Sequence, residues 1–529
     1  MIYQSLLSKC LRLGLLSRAS NKHIQVNNYS QNENNLMDLC KYLNISTSKA
    51  QYLQMKNRGI RRLKSNEIKD LVKTINDLGF PSNVLVDHPA LCSMLPVTIK
   101  FRFKVLHECG VLNLSSEHLV SYMLLVKQKT VGELKDSGII STLINIENKL
   151  ANYMTQWPTS LTTLVYGDVD NYTLYTLRLK IIQRYLELVL DITEEEFLRG
   201  LKTYPTVKHR PLEVINETLS ILQTQFLMPS VKIKSNFYLI HVDPENLKNI
   251  LFKCRSIGGI DIKEIIRMHP KIATRSCSSL LETKKVFEEF GISNEAQKRC
   301  FQIYTLGPQT VRERLQKATS IPEFSTFSKH PRFLKMIHYN NTAMRRLRNL
   351  YDNNKKCLSL NILSGSSAHY DVFQKAPGDR LGKGKDLVFC ISEFLGSKYS
   401  MSDVRNKVKR HPFWINIPLV QIKYVHNKLS SEFSSEDIYE NCPILLYPWN
   451  KVKEVMLQID KNMENHQQVH DFLDFQNISK SQKLSMALYL LERKHYFSGN
   501  GVWNDEKNKI HVIDHHKVIK YLRAPYIIP

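Results

Sequence analysis

One unit recurs along this chain, and it constrains the fold more than any other feature. In residues 75–92, "INDLGFPSNVLVDHPALC", a helical pattern stops at Gly79, a short second one follows, and Pro89 closes it. The same order returns in residues 254–272 with Gly259 and Pro270, in 286–311 with Gly291 and Pro308, and in 428–446 ending at Pro443. Residues 105–125 carry Gly110 but have Met123 where a proline would stand, and residues 189–207 have Asp191 in place of glycine. Glycine tolerates the left-handed backbone that ends a helix. Proline lacks an N–H and biases the residue before it away from helix, so it ends the second pattern. Thr193 with Glu196 reads as a T-x-x-E capping box, and Ser434 with Asp437 resembles one. Apolar residues in each second pattern fall at helical spacing. The predicted unit is two helices plus a short third turn, and the predicted fold class is an all-α solenoid of diverged repeats. Anchors at Pro89, Met123, Pro158, Pro205, Pro244, Pro270, Pro308, Pro331, Pro412 and Pro443 set its frame. Four of these prolines follow histidine: His88, His269, His330 and His411. The reading gives all four the same slot, each histidine closing helix two, where a partly positive ring suits the carbonyl end.

A chain of 529 residues with 43% hydrophobic content exceeds one compact core, which also favours a solenoid or several domains. Its 74 Lys and Arg against 49 Asp and Glu leave a net charge of +25. Such a surface meets a polyanion, with nucleic acid the first candidate and an anionic membrane the second. No apolar run is long enough for a membrane span. Ten cysteines without a C-x-x-C pair read as free, buried thiols in a reducing compartment. The first acid is Glu33; before it Lys9, Arg12, Arg18 and Lys22 alternate with leucines. That basic, amphipathic, serine-containing start is the composition of a mitochondrial transit peptide, and it directs the chain to the matrix. The domain reading is a transit peptide over 1–30, a flexible segment over 31–60, the repeat array over 61–455, and a C-terminal helical cap and tail over 456–529.

Basic charge concentrates between residues 331 and 420, with 16 Lys and Arg against 6 acids. A solenoid displays such residues along one face, where they can follow a phosphate backbone. The candidate nucleic-acid contacts are Arg332, Lys335, Arg345, Arg346, Arg348, Arg405, Lys407, Lys409 and Arg410. Phe333, Phe413, Trp414 and Tyr424 sit at helical apolar spacing and read as core before they read as base-stacking groups. "GDRLGKGKD", residues 378–386, hints at a phosphate loop, but its spacing is short by one and Gly384 replaces the Ser or Thr; it reads as a basic loop. Asp514, His515 and His516 have no ligand partners set by spacing. With no paired carboxylates, nucleophile elbow or H-E-x-x-H, neither catalysis, a metal nor a cofactor is expected.

The repeat resembles that of the mitochondrial transcription termination factor (mTERF) family. The matching segments are "INDLGF…DHPALC", "RSIGGIDIKEIIRMHPKI" and "FSSEDIYENCPILL", with the blocks at 327–363 and 484–503 similar to the central and terminal parts of animal members. Residues 364–396 depart from the pattern, as does the proline-less "LSSEHLVSYMLL". The resemblance covers roughly residues 60 to 500. It implies an all-α superhelix of mTERF-type repeats, with double-stranded mitochondrial DNA in a basic groove, and control of transcription termination or initiation without catalysis. It also implies an insect paralogue rather than the namesake terminator. A second mTERF-family protein or the mitochondrial transcription machinery are the further partners implied, to a chain expected to be a monomer. Two alternatives stand beside it: an RNA binder serving ribosome assembly, and an adaptor brought to DNA by a partner.

Overall fold

Three of the four helix stops predicted at glycine are present in a computed structural model, which describes residues 35–57, 59–154, 167–396, 398–464 and 478–495; before the fourth, Gly259, the helix already ends at Cys254. Gly79, Gly110 and Gly291, at φ of 82°, 77° and 61°, follow the helices Ser65–Asp77, Pro96–Glu108 and Cys277–Glu289. Asp191 takes the same left-handed conformation, φ 55°, after Leu174–Leu190. Both capping boxes form. Thr193 Oγ1 accepts from the Glu196 N–H and Glu196 Oε2 from the Thr193 N–H, which starts Glu194–Thr203. Ser434 and Asp437 exchange the same pair of bonds at Ser435–Glu440.

The third turn is a short 3₁₀ segment: Pro89–Ser93, Pro205–His209, Pro270–Thr274 and Cys442–Leu446. Two copies, Phe237–His241 and Phe301–Thr305, form it without proline. Four of the six share the conformation of the residue before the turn: His88, Tyr204, Asn236 and His269 all lie near φ −125° and ψ between 60° and 74°. Proline favours that conformation by excluding helix from the preceding residue, but asparagine reaches it unaided.

Three anchors serve differently from the sequence reading. Pro244 and Pro308 open first helices, Pro244–Asn249 and Pro308–Ser320, instead of closing second ones. Proline fits the first turn of a helix as well as the end, because that N–H has no partner anyway. Met123 precedes a π-helical turn, Leu124–Gln128, closed by Lys129 N–H to Leu124 O at 3.1 Å. Pro158 lies outside the described residues, as does the segment assigned to a transit peptide.

The chain divides into two compact units, residues 1–248 and 249–529. In both, apolar residues of the paired helices and the 3₁₀ turns form the core, as with Leu177, Ile181 and Val207 in the first and Ile265, Ile272 and Leu280 in the second. The expected all-α solenoid of helix–helix–turn repeats is borne out. Among the described residues, strand pairing is confined to isolated bridges and one two-residue hairpin, Ser256–Ile257 with Ile260–Asp261. It turns on Gly258 and Gly259, both at positive φ, the pair a tight hairpin needs. Two boundaries differ from expectation. Residues 35–43 and Thr47–Lys56 are helical, with Leu39, Ala50 and Leu53 buried, where a flexible segment over 31–60 was expected. The helix Trp449–Glu464 runs straight through the boundary placed at 455.

Candidate nucleic-acid interface

The basic region of the second unit is built from the helices Phe333–His338, Asn340–Asp352, Leu360–Ser364, Ser367–Lys375, Lys385–Phe394 and Met401–Val408. Its nine candidate residues do not share one fate. Lys335, Arg345, Arg405, Lys409 and Arg410 are exposed, and among the described residues none has a carboxylate at ion-pair distance. Arg332 is exposed as well, its Nη2 3.9 Å from Asp386 Oδ1. Lys407 is half-buried and engaged: its Nζ lies 3.0 Å from Glu440 Oε2 and 4.5 Å from the Tyr439 ring centre. Arg348 is half-buried.

Arg346 belongs to the fold. It is buried, and its Nη1 donates to the carbonyls of Ile362 (3.1 Å), Leu363 (3.4 Å) and Gly365 (2.8 Å) at the end of Leu360–Ser364. Its guanidinium also covers the Tyr370 ring at 4.7 Å. The reason is in the spacing. Ala343, Arg346, Leu347 and Leu350 lie at i, i+3, i+4 and i+7, so Arg346 projects from the buried stripe while Arg345 projects to solvent. Phe333 is core as well, at 1% exposure.

The four His-Pro pairs split in two. His88 and His269 are half-buried and precede 3₁₀ turns. His330 and His411 are buried, and each ring turns back on its own backbone. The Arg332 N–H donates to His330 Nδ1 at 3.1 Å, and the Phe413 N–H to His411 Nδ1 at 3.2 Å. An accepting Nδ1 carries no proton, so both rings are neutral in this arrangement. The partly positive ring expected at these two positions is therefore corrected. Burial agrees, lowering His330 and holding His411 at about 4. The bond fixes the start of the segment that presents Arg332, so the histidine acts through position.

The loop 376–386 is pinned from several sides. Asp379 accepts from the backbone N–H groups of Lys356 (2.7 Å) and Cys357 (3.0 Å). Lys355 is buried and donates to the carbonyls of Phe373 and Ala376 at 2.6 and 2.7 Å. Leu381 N–H reaches Ile415 O at 2.7 Å. Gly384 lies against the Trp414 ring so closely that a Cβ there would stand 2.4 Å from it.

Against known proteins, the chain is 30% identical to "Transcription termination factor 5, mitochondrial" of Drosophila melanogaster over 454 residues, covering 85% of this chain and 80% of that protein. The chain belongs to the mTERF family. No family model matches it, and no solved structure does. In this mTERF-family chain, no group of three or more His, Cys, Asp and Glu converges on a metal site among the described residues. No described helix is long and apolar enough to cross a membrane. The described cysteines are free thiols, all buried except the half-buried Cys40, and burial pushes Cys92 and Cys442 up to about 12. Those two are poor nucleophiles and poor metal ligands for that reason.

Sequence reasoning passed over two groups in this family member. One is the exposed set Arg380, Lys383 and Lys385, read only as a basic loop. The other is a set of arginines that hold one repeat to the next. Arg210 follows the turn Pro205–His209 and donates to His241 O (2.8 Å) and Val242 O (2.5 Å), at the end of the next turn. Arg275 follows Pro270–Thr274 and reaches Thr305 O in the same way. Arg314 donates to Ile337 O and His338 O. The position of arginine directly after a 3₁₀ turn is the signal that would have found the first two.

Proposed function

We propose that this protein binds double-stranded mitochondrial DNA in the matrix, as a monomer, and regulates transcription there at termination or initiation without catalysing a reaction. The observation that carries the reading is the exposed cation set Arg332, Lys335, Arg345, Arg405, Lys409 and Arg410, five of them without a carboxylate partner among the described residues. Cations left uncompensated by the fold are free to displace counterions from a phosphate backbone, and phosphate contacts supply most of the sequence-independent affinity. Family membership and the relative's name support the compartment and the process. Arginine forks among the set can read guanine in the major groove.

Fluorescence anisotropy with duplex mitochondrial DNA over a salt series tests this. Log affinity falls steeply and linearly with log salt, and replacing any one of the five unpaired residues by alanine lowers that slope by about one. Arg332→Ala weakens binding and leaves the thermal unfolding midpoint unchanged. An affinity flat with salt overturns the proposal. So does crosslinking and sequencing that recovers ribosomal RNA and no DNA.

A further inference from the structure

Between the helix Ser367–Lys375 and the loop that follows it, the second unit carries a half-open cavity of about 560 Å³. Small-molecule sites occupy roughly 300–1,000 Å³, mostly apolar with a few convergent polar groups. This cavity has that make-up. Ile362, Phe373 and Leu381 contribute an apolar floor. Arg332, Arg380, Lys383 and Lys385 surround it, and the acid in its lining is Asp386.

That carboxylate is already spent. Asp386 Oδ2 accepts from the Leu360 N–H at 2.7 Å, and Oδ1 faces His330 Nε2 and Arg332 Nη2 at 3.8 and 3.9 Å. Arg380, Lys383 and Lys385 are exposed and have no carboxylate at ion-pair distance among the described residues. Four like charges around one concavity repel one another, and a low-dielectric wall focuses their field inward. The loop nevertheless does not spread. Asp379, Lys355, Leu381 and the Gly384–Trp414 contact pin it, so the cavity is formed in advance of any ligand.

We propose that this cavity binds a nucleoside polyphosphate, with the base on the apolar floor and the phosphates among the four cations. Charge decides between the two sources of a nucleotide. One residue of a nucleic-acid strand brings a single negative charge, whereas a nucleoside di- or triphosphate brings several, which is what four cations against one committed carboxylate require. Apolar floor and cationic rim together distinguish a nucleotide from a bare inorganic anion. The site does not rest on duplex binding by the wider basic surface. It shares Arg332 with that surface, so an occupied cavity withdraws one cation from DNA.

The test titrates the purified full chain with methylanthraniloyl-labelled ATP and GTP, followed by fluorescence. The expected result is saturation in the micromolar range, displaced by unlabelled nucleotide. Binding weakens at least tenfold in the triple variant Arg380→Ala, Lys383→Ala, Lys385→Ala, and at least as much in Lys383→Glu, Lys385→Glu, with unfolding midpoints unchanged because all three side chains are exposed. Absence of saturation up to millimolar probe, or unchanged binding in both variants, overturns the site. Tripolyphosphate displacing the probe as well as ATP removes the apolar floor from the account and overturns the nucleotide. An oligonucleotide that displaces the probe where unlabelled ATP does not assigns the cavity to the nucleic-acid interface and overturns it as a separate site.

Discussion

Two populations of arginine divide the molecule's positive charge. In the first unit, Arg178 and Arg210 are buried at 1% and 4% exposure and spend their Nη donors on the fold. Arg178 Nη1 meets Glu108 Oε2 at 2.7 Å, and its Nη2 donates to Arg210 O. Between residues 331 and 420 of the second unit, Arg332, Arg345, Arg405 and Arg410 stand in water. Composition counts both alike. The difference teaches that net charge overstates a binding surface wherever guanidinium groups close repeats onto one another. Arginine suits that clamping role because its planar fork reaches two carbonyls at once and stays charged when buried. Arg346 is the instructive exception, a clamp inside the exposed population.

Three substitutions probe the division, the largest effect first. Arg178→Met leaves the buried Glu108 carboxylate without its counter-charge, and the loss is about 3–5 kcal/mol in chemical denaturation. A loss under 1 kcal/mol would dissolve the distinction between clamping and surface arginines. Next, Arg346→Met removes charge-assisted bonds to three carbonyls and costs about 2 kcal/mol of stability, while duplex affinity at fixed salt stays as in the parent. Reduced affinity with parental stability would return Arg346 to the interface. The third extends the comparison to the histidines. The folded protein holds His411 at about 4, below its ordinary 6.5, so folding releases its proton between those values. Its contribution is whole above pH 6.5 and drains away as pH falls toward 4, amounting to about 1–2 kcal/mol near pH 5. His411→Asn keeps an acceptor for the Phe413 N–H and removes the titration. Thermal midpoints from pH 7 to 5 fall less steeply in that variant than in the parent. Equal slopes would place the acid sensitivity elsewhere.

The repeat was legible because its signals are local and chemically specific. Gly79, Gly110, Gly291 and the Thr193–Glu196 box each force one backbone event within a few residues. Pro244 and Pro308 were misread because proline is equally at home opening a helix, and only neighbouring repeats decide which end it marks. Leu227 and Arg255, both at positive φ without being glycine, had no local signal; each follows a π-helical turn that sequence does not announce. For the basic region, existence was legible from charge density, but membership was not. Arg346 could have been excluded by its place on the apolar stripe of its own helix. The cavity was invisible, since Arg332 and Lys383 meet across it only after the chain has turned through four helices.

Glu108 has a consequence for how the first unit opens. Repeat arrays couple neighbours only, and they come apart from an end one unit at a time. The Glu108 carboxylate spans further, holding residues 178, 212 and 213 across separations of 70, 104 and 105 residues. It works as a clasp joining links that are not adjacent. Fraying of the helices before it can proceed locally until it meets Glu108, where the strings around residues 108, 178 and 212–213 must be released together or held together. Amide hydrogens in those strings then exchange through one shared opening, at one free energy.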